Sequence, residues 1–175
     1  TELCPTRFFT GEPLYRDGQA PDAAEVARRV ENFWRPYHDA LRDELQRLKD
    51  THGHAVLFDA HSINSDLPWL FDGTLPHLNL VTADGRSCAP SLRNALAAVL
   101  DGQQEVEHVI DGRFKGGHIT RHYGRPEHGV HAVQLEMCWR TYMDEVPPAW
   151  NDARAAEATP LLRRLVQAML DWAPD

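Results

Sequence analysis

Apolar residues recur three or four positions apart at Val26, Val30, Phe33, Tyr37, Leu41, Leu45 and Leu48. That spacing lines one face of an amphipathic helix lying on a core. Asp22, with Glu25 three residues on, has the form of a capping box and predicts the helix start. Gly53 predicts its end, and Pro36 a kink or division within it. Before this helix, residues 1–21 are rich in Pro and Gly and have no period, which predicts a loop. The short apolar run His54–Ala60 predicts a buried strand, parallel because a helix precedes it. Leu78–Thr82 predicts a second strand, closed by the turn Asp84-Gly85. Ser91–Leu100 predicts a helix that stops at Gly102, and Val106–Ile110 a third strand. Phe114–Glu127 has too many glycines and too little period for a regular element, so it is read as a long loop. His131–Leu135 predicts a further strand, Glu136–Met143 the start of a short helix stopped by Pro147-Pro148, and Thr159–Trp172 a last amphipathic helix. Helices alternate with short apolar strands, so the expected class is α/β, a mixed or largely parallel sheet flanked by helices. No repeat or linker divides the chain, which predicts one domain over residues 1–175.

Composition narrows the function classes. The 175 residues carry 26 acidic and 18 basic side chains, a net charge of −8. So acidic a chain lacks the electrostatic footprint for general binding to nucleic acid or to anionic membranes. No apolar run approaches the roughly 20 residues of a transmembrane helix. Thr-Glu-Leu-Cys-Pro has neither the basic region nor the apolar core of a signal peptide. Cys4, Cys88 and Cys138 are widely spaced and odd in number, which predicts free thiols and a cytoplasmic location.

Three segments carry candidate chemistry. Asp59-Ala60-His61 closes the first predicted strand. Residues i and i+2 of a strand share a face, so the Asp59 carboxylate can orient the His61 imidazole, the usual support of a zinc ligand. The bland alternative is a loop-capping Asp59 and an interior His61. The second segment runs from Asp111 to Gly124. Gly116 and Gly117 permit close ligand approach beside His118, and Arg113, Lys115 and Arg121 put three cations into an acidic chain. This reads as a loop for a small anion, or else as a basic surface turn. It lacks the Gly-Lys-Ser/Thr of a phosphate loop. Third, Glu136 ends a predicted strand among histidines and is a candidate general base, or a structural carboxylate. Ser62 has no Gly-x-Ser-x-Gly elbow, and no His-Glu-x-x-His pattern occurs.

Taken in order, these segments resemble the N-formylglutamate amidohydrolase family. The resemblance rests on Trp34-Arg35-Pro36-Tyr37-His38, Phe58-Asp59-Ala60-His61-Ser62-Ile63, Leu70-Phe71-Asp72-Gly73 and Ala83-Asp84-Gly85-Arg86-Ser87-Cys88. It continues through Gly112-Arg113-Phe114-Lys115-Gly116-Gly117-His118-Ile119-Thr120-Arg121, Tyr123-Gly124-Arg125-Pro126 and Val130–Glu136, to about residue 145. It departs at Asp111, where the family pattern has Asn, at His118, where it has Tyr, and at Val81, where it has Gly.

The resemblance implies a phosphorylase/hydrolase-like fold related to zinc carboxypeptidases and aspartoacylase. It implies a divalent metal cofactor, zinc first, with His61 as one ligand, Asp59 behind it, and Glu136 taking the proton of the attacking water. Arg121, with Lys115 or Arg113, would pair with the carboxylates of an acidic N-acyl amino acid. The implied reaction yields formate and L-glutamate, a step of histidine degradation. The family also has an N-terminal Pro-His-Ser-Gly-type turn and an Asp-x-Asn-Arg stretch that carry further ligands. Neither occurs in this chain, so an upstream part is expected to be missing. Two other expectations stand beside this one: an amidase for a different N-acyl amino acid, and a non-catalytic domain that binds an acidic amino-acid derivative.

Overall fold

The computed structural model describes residues 3–8 and 10–174. Helix α1 spans Ala23–Arg29, and its N-cap Asp22 accepts the Glu25 N–H at 2.8 Å. A π-turn, Val30–Trp34, joins it to α2, Arg35–His52, which ends at Gly53. Pro36 has no N–H to give the helix ladder. The irregularity it imposes is taken up one turn earlier, where Arg35 N reaches back five residues to Val30 O.

The strands are β1 (Ala55–Ile63), β2 (Leu78–Val81), β3 (His108–Ile110) and β4 (Val130–Cys138), in the spatial order β1-β4-β2-β3. β1 is parallel to β4 and β2 to β3, while β2 is antiparallel to β4, so the sheet is mixed. Helix α3 (Pro90–Asp101) and α5 (Asp152–Asp171) cover one face. Leu78, Leu80, Val133 and Leu135 point from the sheet into that layer and meet Leu92, Leu96, Leu100, Leu161, Leu165 and Met169. Alternate residues of the same strands therefore face the other way, toward the short helix α4 (His118–Tyr123).

Three expectations need correction. The segment Phe114–Glu127 is not wholly a loop, because it contains α4 and a 3-10 turn at Pro126–His128. Its local pattern is weak, and a tertiary contact holds it. Gln134 Oε1 accepts both Gly117 N at 2.8 Å and Thr120 Oγ1 at 3.1 Å. Residues 136–143 do not begin a helix. β4 runs on to Cys138 because β1 pairs with it as far as Ile63, opposite Cys138. A 3-10 turn (Trp139–Thr141) follows, and then the hairpin β5 (Met143–Glu145) and β6 (Pro148–Trp150), with Pro147 in its turn. The last helix starts at Asp152 rather than Thr159, capped by the Asn151 side chain, and carries Pro160 inside it.

Asp111 ties the ends of β2 and β3 together. Its carboxylate accepts Thr82 N (2.7 Å), Thr82 Oγ1 (2.6 Å), Asp84 N (3.3 Å) and Arg93 Nε (3.2 Å). Burial pushes this carboxyl up, but the hydrogen bonds from Thr82, Arg93 and Asp84 outweigh it and hold it below the ordinary 3.8. A depressed carboxyl contributes stability above its unfolded-state value and loses it as pH falls through the folded-state value. Asp111→Ala leaves the Thr82 N–H buried and unpaired, and should cost about 3 kcal/mol at pH 7. In urea unfolding, the gap between wild type and variant should narrow below pH 3.8. A gap that is constant with pH would rule out the charge as its source.

Candidate functional site

The face of the sheet turned away from α3 and α5 gathers four side chains at the C-terminal ends of two neighbouring strands. Asp59 and His61 on β1 stand in register with Gln134 and Glu136 on β4. Parallel neighbours in register present their side chains on the same face, so the four form a block. His61 Nε2 lies 3.0 Å from Asp59 Oδ1, within ion-pair reach. The imidazole is half exposed, and among the described residues its Nδ1 has no protein partner. Antiparallel β2 adds Asn79 opposite Glu136, and Asn79 Nδ2 donates to the Glu136 main-chain oxygen at 3.2 Å.

Glu136 is only 8% exposed. Burial pushes its carboxyl above the ordinary carboxylate range. His61 opposes the rise, Asp59 adds to it, and a hydrogen bond from Gln134 opposes it. A buried carboxyl with a raised pKa, beside an imidazole held by a second carboxylate, is suited to taking up a proton and returning it. Cys88 and Cys138 are unsuited to nucleophilic roles, since burial pushes their thiols up to about 11 and about 12. Ser62 Oγ lies 3.0 Å from Tyr142 Oη, held in a hydroxyl pair with no histidine between them.

The glycine loop reaches this block through Gln134. The side-chain oxygen of Gln134 holds Gly117 N and Thr120 Oγ1, while its amide is next to Glu136. Gln134 was not singled out from the sequence. The signal was available, because it stands two residues from Glu136 on the same face. Gly116 has φ +97°, and a Cβ there would lie 3.2 Å from two Thr120 side-chain atoms, so glycine is required. Gly117 is extended, and a Cβ would meet Gln134 only at ordinary contact distance.

The three cations predicted to act together are dispersed. The Arg113 guanidinium lies 4.8 Å over the Phe71 ring and donates to Leu70 O at 3.0 Å. Phe114 beside it packs against the small cluster of Phe71, Leu75 and Cys138, which Ile63 also joins; Ile63 and Cys138 end β1 and β4, so Arg113 is at the same end of the sheet as His61 and Glu136. Lys115 Nζ is engaged by Asp84 Oδ1 (2.7 Å) and Asp111 O (2.6 Å). Arg121 lines a different cleft, with Arg86, Ser87 and Arg125. His118 stacks on His122 (4.8 Å) and meets His38 edge-on (5.4 Å). His38 Nδ1 is 2.7 Å from Tyr123 Oη, which joins the Trp-Arg-Pro-Tyr-His segment to the Tyr-Gly-Arg-Pro segment. Burial, and then the charge of His118, lowers the His38 and His122 pKa values.

His61, with one nitrogen anchored and the other free, fits one ligand position of a zinc-type ion. Among the described residues no three His, Cys, Asp or Glu side chains group to hold a metal. Catalytic zinc takes three protein ligands, so this donor set fits part of such a site. Also among the described residues, no helix is long and apolar enough to cross a membrane.

Comparison with known proteins shows the family. The chain is 52% identical over 173 residues to the N-formylglutamate deformylase of Pseudomonas aeruginosa, and 49% identical to that of Pseudomonas putida. Each alignment covers 98% of this chain and 65% of the relative, so the chain spans just under two thirds of their length. The fold matches a crystal structure of N-formylglutamate amidohydrolase from Ralstonia eutropha with a TM-score of 0.74 at 24% identity, over 91% of this chain and 56% of that one. It also matches a gene product of Agrobacterium tumefaciens with a TM-score of 0.67 at 16% identity, over 94% of this chain and 61% of that one. The family described as N-formylglutamate amidohydrolase matches residues 1–143, and this chain belongs to that family.

Proposed function

We propose that this protein hydrolyses N-formyl-L-glutamate to formate and L-glutamate with the help of a divalent metal ion, zinc first. The observation that supports it most is the block in which Asp59–His61 stands in register with Gln134–Glu136, with Glu136 buried. When bound, such an ion polarises a carbonyl and acidifies water toward a pKa of about 7. His61 would hold the ion through Nδ1, with Asp59 fixing the ring through Nε2. Glu136 accepts a proton as the water oxygen bonds to the formyl carbon. It returns that proton to the glutamate nitrogen as the C–N bond breaks, so the carboxylate is regenerated. Asn79 and Gln134 keep Glu136 in place. Among the predicted cations, Arg113 is the one at this end of the sheet, and it would pair with a substrate carboxylate.

The test is formate release from N-formyl-L-glutamate by the full-length protein. Activity should be lost with a chelator and restored by zinc. Asp59→Asn should weaken metal affinity roughly 10- to 100-fold, read by chelator competition. Chelator-resistant turnover would overturn the metal. No turnover with metal supplied would overturn the substrate. His118 is a residue of the substrate loop by sequence and stands where the family pattern has Tyr. It favours, as a second reading, a different N-acyl amino acid, which a substrate panel would identify.

A further inference from the structure

We infer that the cleft between Arg86, Arg121 and Arg125 is a binding site for a small dianion, separate from the hydrolytic block. The cleft measures about 250 Å³ and is completed by Ala83, Ser87 and Gly124. Each guanidinium is aimed by a main-chain carbonyl. Arg86 Nε donates to Ala83 O (2.8 Å) and Arg121 Nε to Gly117 O (3.2 Å). One terminal nitrogen of Arg125 donates to both Arg121 O and Gly124 O, each at 2.8 Å. Among the described residues, both terminal nitrogens of Arg121 and the other two nitrogens of Arg125 have no protein partner. The nearest acid, Asp84, is 4.0 Å from Arg86 and is already engaged by Lys115 at 2.7 Å. Among the described residues Arg121 and Arg125 are thus left without a carboxylate partner, and Arg86 has only the Asp84 it shares with Lys115, so the cleft carries surplus positive charge and its cations repel one another. A phosphate or a dicarboxylate, which guanidinium forks grip in bidentate fashion, relieves that repulsion.

The cleft lies at the far end of the sheet from Glu136. Arg125 bridges to Val130, the first residue of β4, and Ser87 O accepts Ala132 N at 2.7 Å. Glu136 is four residues further along β4, about 13 Å at the rise of a parallel strand.

The experiment is calorimetric titration of the full-length protein with inorganic phosphate and, separately, with succinate, at low and constant ionic strength. Wild type should bind at least one of the two saturably, and added NaCl should weaken the binding. The double variant Arg86→Gln/Arg121→Gln should lose at least 10-fold in affinity, while Asp59→Asn, at the other end of the sheet, keeps it. Both arginine side chains are exposed, so the fold should tolerate the change; circular dichroism checks it. Whichever anion binds in this arginine-dependent way is the ligand class. No saturable binding of either, or binding lost in Asp59→Asn but not in the arginine variant, overturns the site. Because the readout is binding, it is independent of whether the protein turns over N-formylglutamate.

Discussion

Glu136→Gln should cut kcat for formate release by roughly 100- to 10,000-fold, the usual contribution of a positioned proton carrier. The amide keeps the shape of the carboxylate but cannot take up a proton. The main-chain bond from Asn79 to residue 136 does not involve the side chain, so the strand should hold its register. The sign of the stability change is informative. A carboxyl whose pKa is raised by burial keeps its proton to higher pH in the native state than in the unfolded chain. Its ionisation therefore removes stability as pH rises from 4.5 through the folded value. Glutamine has no such loss, and the variant should be at least as stable as wild type at pH 7 by thermal unfolding. In the wild type, the acidic limb of kcat/KM should lie above 4.5, the direction in which burial moves Glu136. Near-normal turnover in Glu136→Gln would remove this residue from the chemistry. A large loss of stability together with activity would make it structural.

The largest structural effect is expected at Gly124. Its φ of −64° is open to any residue, so backbone freedom is not why glycine is there. Space is the reason. A Cβ would lie 2.5 Å from Ser87 Cβ and 2.7 Å from both Ser87 Cα and Ser87 O. Ser87 cannot retreat easily, because its Oγ donates to Ala132 O and its O accepts Ala132 N, both at 2.7 Å. This pair pins the segment after β2 to the start of β4. Gly124→Ala should therefore cost about 3 kcal/mol, the upper end for overpacking a tight contact. In a domain of this size that is a fall in Tm of about 6–12 °C. Urea unfolding should move the midpoint with an unchanged slope. A fall of less than about 0.5 kcal/mol would mean that α4 and the Ser87 segment separate without cost.

Residue pattern alone identified the helix from Asp22 to Gly53, the four strands of the sheet and α3, because their apolar periods are long or bounded by strong stop signals. It also paired Asp59 with His61, since two residues on a strand always share a face. Other features depended on contacts between distant segments. Nothing local in residues 114–127 specifies α4; Gln134, fourteen residues after Thr120, holds its first turn. Nothing local carries β4 past Leu135; pairing with β1 does. The register that sets His61 beside Glu136 is likewise a property of two strands, not of either one.

The cations show the same limit from the other side. Arg113, Lys115 and Arg121 are close in sequence and were expected to act together. A turn of loop and a turn of helix separate them, so that one lies over Phe71, one pairs with Asp84 and one joins Arg86 and Arg125. The sequence by itself determined the family, through the order of its motifs, and the α/β class, through local periodicity. Only the tertiary structure decided which side chains meet, because strand register and helix docking are fixed by long-range pairing and packing.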